Sequence, residues 1–290
     1  MTTEPLLVSL GALVIAFTGD LPVLAPDSLL GQFLCSGGTP EVFVHVRRTD
    51  CLPVPDEAGA LYTAKGFAMY RRGTRRFACK KDMNRPDGRI YAVLCYDEAT
   101  ADHMTLFYHT GRMRLDVESL LSCIMLETVL LRHGRCILHA SYLSYEGKGI
   151  VFTAPSGTGK STQAALWHDC RGAEIINGDK ALLRWDGDRL LACGLPLCGS
   201  SGICRNRTVP LDAVVALAQS KENSAEILRG AQAVKAVLPQ IYSQPGEADS
   251  VSDALNFAVN LARNVPVWRL RCLPDETAVT CLEEALKKEK

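Results

Sequence analysis

The sequence predicts a protein that is α+β overall and α/β in its second half, in two parts. Residues 1–134 read as an antiparallel β-rich domain with a linking helix, and residues 135–290 as a domain in which strands and helices alternate. Three observations carry this. Up to about Gly111 the apolar residues recur with period two between turn signals. After Gly111 the pattern mixes helical and strand periods. In the second half a glycine-rich stretch, 154–162, follows an apolar strand and opens a helix.

Element by element, Leu6 to Phe17 is nearly continuous apolar sequence and reads as buried strand. It is too short to span a bilayer, and it lacks the basic start and small-residue cleavage pattern of a secretory signal. Glu41–Arg48, Leu61–Arg71, Arg76–Lys80, Arg89–Tyr96 and His103–His109 alternate with period two. The breaks between them, at 56–59, Arg72-Gly73 and 84–88, carry hairpin chemistry, so this half reads as an antiparallel meander. Asp116 can cap one helix running through about Arg132, and Gly134 stands where a helix-ending glycine belongs. There follow an apolar strand (Cys136–Tyr145), the turn 146–149, a strand (Ile150–Thr153) and a helix from about Lys160 to His168. Next come a strand (Glu174–Asn177), the hairpin turn 186–188 within Trp185–Leu191, and a buried strand (Val214–Ala218). Helical patterns at about 231–242 and 249–263, a strand (Val265–Arg271) and a closing helix after Asp275 complete the chain. No internal repeat is present. This order suits an α/β nucleotide-binding core whose ligand sits at strand carboxyl ends.

Composition narrows the function classes. The chain has 290 residues, 47% of them apolar, enough to fill its cores, and no low-complexity tract. Its 32 basic and 32 acidic side chains cancel, so there is no overall pull toward nucleic acid or an anionic membrane, and neither partner is expected. The basic cluster Arg71, Arg72, Arg75, Arg76, Lys80 and Lys81 straddles a turn and reads as a solvated hairpin. Lys287, Lys288 and Lys290 suit a helix carboxyl end. Twelve cysteines are scattered through the chain, and even the densest group, Cys193, Cys198 and Cys204, matches no zinc spacing. They read as reduced, mostly buried thiols in a cytoplasmic protein.

Ala154-Pro155-Ser156-Gly157-Thr158-Gly159-Lys160-Ser161-Thr162 matches GxxxxGK[ST] except at its first position. Gly157 and Gly159 let backbone N–H groups turn inward as an anion nest, and the following helix adds its positive end. Pro155 to Thr162 are thus expected to hold a nucleotide triphosphate, with Lys160 on the β and γ phosphates and the Ser161 hydroxyl on Mg²⁺. Alanine at 154 would resist a positive φ if the loop required one there. The next apolar strand leads to Asn177-Gly178-Asp179, and Asp179 is expected to orient Mg²⁺, to take the proton of an attacking hydroxyl, or both. The polar, basic loop 198–207 is a candidate to close over the phosphates with Arg205 or Arg207.

His139, a strand, a turn, a strand, the loop Ser156–Ser161, and then Asn177-Gly178-Asp179-Lys180 resemble the catalytic core of HPr kinase/phosphorylase and its kinase-like relatives. That fold is shared with ATP-dependent phosphoenolpyruvate carboxykinase. The resemblance runs from about Leu138 to the carboxyl terminus. It implies ATP and Mg²⁺, phosphoryl transfer to a hydroxyl, and a catalytic His139 near Asp179. The sequence departs from the family at Gly178, where the relatives carry the first of paired aspartates, and it lacks the segment associated with phosphorylase activity. It is closer to the small HPr-kinase-like proteins, some of which phosphorylate precursor peptides or free serine.

The expected activity is therefore an ATP-dependent serine-kinase-like phosphotransfer to a hydroxyl of a peptide, protein or small molecule, with the amino-terminal sheet shaping the acceptor site or a homo-oligomer contact. Gly178 keeps a second reading open, a nucleotide-binding regulatory or interaction protein with little phosphotransfer.

Overall fold

The computed structural model describes residues 4–24, 28–56, 60–83, 88–112 and 116–289. Most of the turn residues noted at 56–59 and 84–88, and Lys290, lie outside them. The fold is mixed α and β with two large sheets. Internal packing divides the chain into two units, Met1–Val129 with Gln244–Ala248, and Leu130–Ser243 with Asp249–Lys290.

The first unit is built on an eight-stranded sheet in the order β1(Leu6–Leu10), β2(Leu13–Gly19), β3(Val42–Thr49), β8(His103–His109), β7(Ile90–Asp97), β6(Arg75–Lys81), β5(Phe67–Arg72), β4(Ala60–Ala64). The amino-terminal apolar run is not one strand. Gly11 and Ala12 both take positive φ, 52° and 63°, and turn it into a hairpin that pairs Leu6 with Phe17 and Leu10 with Leu13. Alanine at the second turn position hid that turn from the sequence. Likewise Leu61–Arg71 is two strands, β4 and β5, hinged at Gly66, whose φ is 83°.

The expected antiparallel meander holds from β4 to β8, but β2 pairs β3 in parallel and β3 pairs β8 in parallel. Period two reports which face a side chain occupies and is silent on strand direction. The crossover into β3 contains a short 3₁₀ turn, Leu29–Phe33, whose Leu30 and Phe33 are buried. The cations of the β5–β6 hairpin pair with acids, Arg71 and Arg76 with Glu98 and Arg72 with Asp56.

The predicted single helix after Asp116 is two, α1(Val117–Cys123) and α2(Leu126–Arg132). Asp116 accepts from the Ser119 amide as the expected cap. Met125, buried, takes φ 54°, which breaks the helix although the apolar stripe runs through it unbroken. Gly134 takes φ 68° where the helical segment ends.

The second unit carries β9(Arg135–Tyr145), β10(Lys148–Thr153), α3(Lys160–Arg171), β11(Glu174–Asn177), β12(Lys180–Asp186), β13(Arg189–Cys193), β14(Thr208–Gln219), β15(Ser224–Leu228), α4(Ala231–Val237), α5(Ala248–Asn264), β16(Val267–Cys272) and α6(Glu276–Lys288). Its sheet runs β10-β9-β12-β13-β14-β16-β15. Because β10 also pairs β14, in parallel, the first five strands close on themselves. β11 is a short partner to the far half of β9. Two apolar clusters fill the unit. In one, Trp167 of α3 meets Phe152 and Tyr145, ring centroids 6.4 and 5.2 Å away; the other centres on Tyr142, Val214 and the inner face of α5. No helix among the described residues is long and apolar enough to cross a membrane.

Candidate functional site

β9 is the backbone of the site. Its second half pairs with β11 and its first half with β12, and the switch falls at Gly178-Asp179. There the Ala140 amide donates to the Asp179 carbonyl at 2.9 Å, and the Ser141 hydroxyl donates to the Gly178 carbonyl at 2.9 Å. On the other edge of β9, Thr153, the last residue of β10, pairs with Ala140 and donates its hydroxyl to the His139 carbonyl at 2.9 Å. The carboxyl end of β10, His139 and Asp179 are therefore neighbours by register alone.

The loop after β10 turns on Gly157 (φ 80°) and Gly159 (φ 114°). No atom crowds either position, so φ alone demands glycine there. Ala154 is not among the positive-φ residues, so the expected penalty for alanine at the first motif position does not arise. α3 begins at Lys160, and Gln163 is the residue whose amide reaches the Gly159 carbonyl. The amides of the first helical turn precede that bond and point out of the helix end, as at any helix start. Ser161 and Thr162 are exposed there, as are Pro155 to Gly157. Thr158 ties the loop to itself, its hydroxyl on the Pro155 carbonyl at 2.9 Å.

Lys160 is 7% exposed and folds back over this loop, its Nζ donating to the Ala154 and Pro155 carbonyls at 2.9 and 3.4 Å. Burial lowers its pKa from the ordinary lysine value, and the Asp179 carboxylate works in the opposite direction. His139 stands with Nε2 3.7 Å from Asp179 Oδ1 and Nδ1 3.3 Å from Gln240 Oε1. Burial first, then the Lys160 ammonium, push its pKa below the ordinary 6.5, against the pull of Asp179 and Gln240. A neutral imidazole beside a carboxylate and an ammonium is the result.

Asp179 is held on several sides. Its Oδ2 accepts from Lys180 Nζ, and that ammonium lies 5.7 Å from the Tyr242 ring. Tyr242 in turn meets His139 edge-on, centroids 6.2 Å apart. A 3₁₀ turn, Gly199–Ser201, covers the carboxylate: a Cβ at Gly199 would lie 2.8 Å from Asp179 Cγ and Oδ2. The same turn explains Gly178, where a Cβ would lie 2.4 Å from Ser201 Cβ and Oγ. The slot that a second carboxylate would need is occupied by Ser201.

Beneath this, fully buried Asn177 fixes the switch. Its Oδ1 accepts from the Asp179 and Lys180 amides at 2.9 and 2.8 Å, and its Nδ2 donates to the Leu195 and Leu197 carbonyls at 2.9 and 3.1 Å.

The structure brings together Lys160, His139 and Asp179, with the glycine-rich loop at their side. It does not bring Arg205 and Arg207 to the loop. Both pair with Glu174, Arg205 Nη1 at 3.5 Å from its Oε1. Glu174 sits opposite Ser144, five residues along β9 from His139, or about 16 Å at the rise of a strand. The segment carrying these arginines runs as a rung alongside β11, the Arg205 amide on the Ile176 carbonyl and the Gly194 amide on the Arg207 carbonyl, 2.9 Å each. A local run of basic residues gave no hint of this anchoring. Conversely, the sequence reading passed over Gln240 and Tyr242, and took Ser201 only as part of the basic loop 198–207. Only Asn177, in an Asn-Gly-Asp run suited to a side-chain-to-backbone turn, carried a usable signal. Among the described residues no three His, Cys, Asp or Glu side chains cluster as a ready-made metal cage.

No family model and no curated protein matches the chain. Among solved structures, it is similar to the HPr(Ser) kinase/phosphatase from Coxiella burnetii, at 15% identity over 53% of this chain and 99% of that one, with a TM-score of 0.32. That is a distant structural relationship, and the functional reading rests on the site.

Proposed function

We propose that the protein is an ATP-dependent phosphotransferase acting on a hydroxyl, in the manner of the HPr-kinase-like proteins its motifs resemble. One observation carries the reading: a strand, a loop with two left-handed glycines and a helix place buried Lys160 within electrostatic range of Asp179 and His139. The donor set fits a nucleotide with Mg²⁺, since Ser161 and Thr162 are exposed at the first turn of α3 and Asp179 keeps 27% of its side chain exposed. Bound ATP and Mg²⁺ would supply the transferable γ-phosphoryl group and neutralise its charge.

This chain's own residues then divide the work. The backbone of 156–162 would hold phosphate oxygens through its N–H groups, and Lys160 would leave its carbonyl partners for the outer phosphates. Ser161 would hold the metal, with Asp179 directly or through water. Asp179 takes the acceptor proton, steered by Lys180 on one oxygen and His139 on the other. Neutral His139 is free to accept a hydrogen bond or proton in turn. Most of the rate comes from positioning and charge complementarity. Phosphate oxygens are expected to be met by Lys160 and Lys180 rather than by Arg205 or Arg207.

A second reading, nucleotide binding with little transfer, is favoured by one observation, the filling of the Gly178 slot by Ser201. The two part on the same measurements. Lys160→Ala is expected to lower ATP affinity and ADP production at least tenfold while circular dichroism is unchanged; full ADP production in that variant overturns the proposal. Asp179→Asn is expected to cut turnover by two or more orders of magnitude and nucleotide affinity by far less. Wild-type protein that binds ATP yet yields no phosphorylated product from amino acids or cell-extract peptides supports the second reading instead.

A further inference from the structure

The second unit contains a cavity of about 850 Å³ that shares no residue with the candidate site. Its walls are apolar: Leu228 from the end of β15, Val234 from α4, Val259 and Ala262 from the last turns of α5, and Val267 from the start of β16. Its rim is cationic. Arg229, Lys235 and Arg263 line it against a single acid, Glu289. Glu289 is already engaged by Arg229, Nη2 to Oε1 at 3.4 Å. Lys235 and Arg263 make no ion pair among the described residues and stay exposed at the mouth. An apolar cavity of this volume is in the range of small-molecule sites, and a few polar groups at such a mouth set ligand orientation and charge. A wholly apolar ligand would leave the two cations without use, and a small inorganic anion would leave the apolar walls wet.

We propose that this cavity binds an amphipathic organic anion, an aliphatic or aromatic body with one carboxylate, phosphate or sulfonate head, the body against Val234, Val259 and Ala262 and the head between Lys235 and Arg263. The site does not rest on the phosphotransfer reading. Two independent features define it: apolar volume fixes the class of body, and the pair of unengaged cations fixes the sign of the head. Arg229, paired with Glu289, partly offsets that acid's repulsion of the ligand.

The test uses the full chain, with decanoate as ligand, decanol as its uncharged counterpart, and 8-anilinonaphthalene-1-sulfonate as fluorescent reporter. Saturable reporter binding, displaced by decanoate at least fivefold more tightly than by decanol, is expected. Ala262→Phe, which fills the cavity, is expected to abolish displacement with an unchanged circular dichroism spectrum. Lys235→Glu/Arg263→Glu, at exposed positions that do not endanger folding, is expected to weaken decanoate at least tenfold and decanol less than twofold. Lys160→Ala is expected to leave decanoate affinity unchanged. Equal affinity for decanol and decanoate, full binding in the doubly reversed variant, or loss of decanoate binding in Lys160→Ala would overturn the proposal.

Discussion

Asn177 shows how much of the site hangs on a single uncharged side chain. It has two donors and two acceptor sites, and it spends them on four backbone groups that belong to Asp179, Lys180, Leu195 and Leu197. In a fully buried setting a truncation strands all four. Asn177→Ala is expected to cost about 2–4 kcal/mol, read from urea midpoints. Asn177→Asp keeps the acceptor toward the two amides but faces two carbonyl oxygens with a carboxylate. It is expected to be worse than alanine at neutral pH and to approach it in acid, where the carboxyl regains a proton; the reverse order would remove Asn177 from this role. His139 gives the complementary pH signature. Its folded pKa lies below its unfolded value near 6.5, so the unfolded chain takes up the proton first as pH falls. The stability from the neutral ring is complete above that value and declines as pH drops from it toward the lowered folded pKa. In His139→Gln this part of the acid dependence is expected to vanish from urea midpoints between pH 5 and 7. An unchanged slope would mean that another group titrates there.

Gly178 and Ser201 belong to two elements, the β11-to-β12 switch and the 3₁₀ turn laid over it, and each explains the other. Ser201 is fixed by its own bonds, Oγ donating to the Cys198 carbonyl at 2.6 Å and accepting from the Ile203 amide at 3.3 Å. Gly178→Ala drives a methyl into it and is expected to cost about 1–3 kcal/mol. Ser201→Gly loses those bonds, at about 1 kcal/mol, but clears the space, so the double variant is expected to be milder than the sum by about 1 kcal/mol or more. Additive losses in that cycle would show that the turn is not what excludes a side chain at 178. This is also the level at which the sequence stopped being legible. Strand, glycine loop, Lys160, helix and Asp179 lie within one stretch of 32 residues, 148–179, and local pattern placed them closely. The β11 strand, Glu174–Asn177, was placed to the residue. What could not be read is whatever arrives from far along the chain: Gln240 against His139, Ser201 over Gly178, Glu174 capturing Arg205 and Arg207. Breaks that use an unexpected residue at positive φ, exposed Ala12 and buried Met125, were invisible for a local reason, since neither residue type announces a left-handed backbone.

At the scale of the whole molecule the two units are not consecutive in sequence. The segment Gln244–Ala248 leaves the second unit after Ser243, joins the first, and returns at Asp249. It is tied down there by Glu247, which accepts from the Tyr96 hydroxyl, and by Gln244, which donates to Glu127. Gly246 packs on Tyr62 so closely that a Cβ would lie 2.7 Å from the tyrosine Cβ and 3.1 Å from its Cγ. A five-residue strap, outside any helix or strand except for Ala248 at the start of α5, therefore contributes to a fold whose other residues all precede 130. Gly246→Leu is expected to displace the strap from Tyr62 on β4, at a cost of about 1–3 kcal/mol as for other overpacked contacts. The cost should be local, because the residues flanking the strap are anchored separately: Ile241 is bridged to Leu138, and Ser250 is buried at the start of α5. Hydrogen exchange on the full chain distinguishes the outcomes. Faster exchange in β4, β5 and β7 with β9, β10 and α3 unchanged is expected. Equal loosening of both sets would show that the strap couples the stability of the two units, and no change in either would show that its contacts with Tyr62 and Tyr96 contribute nothing to the first.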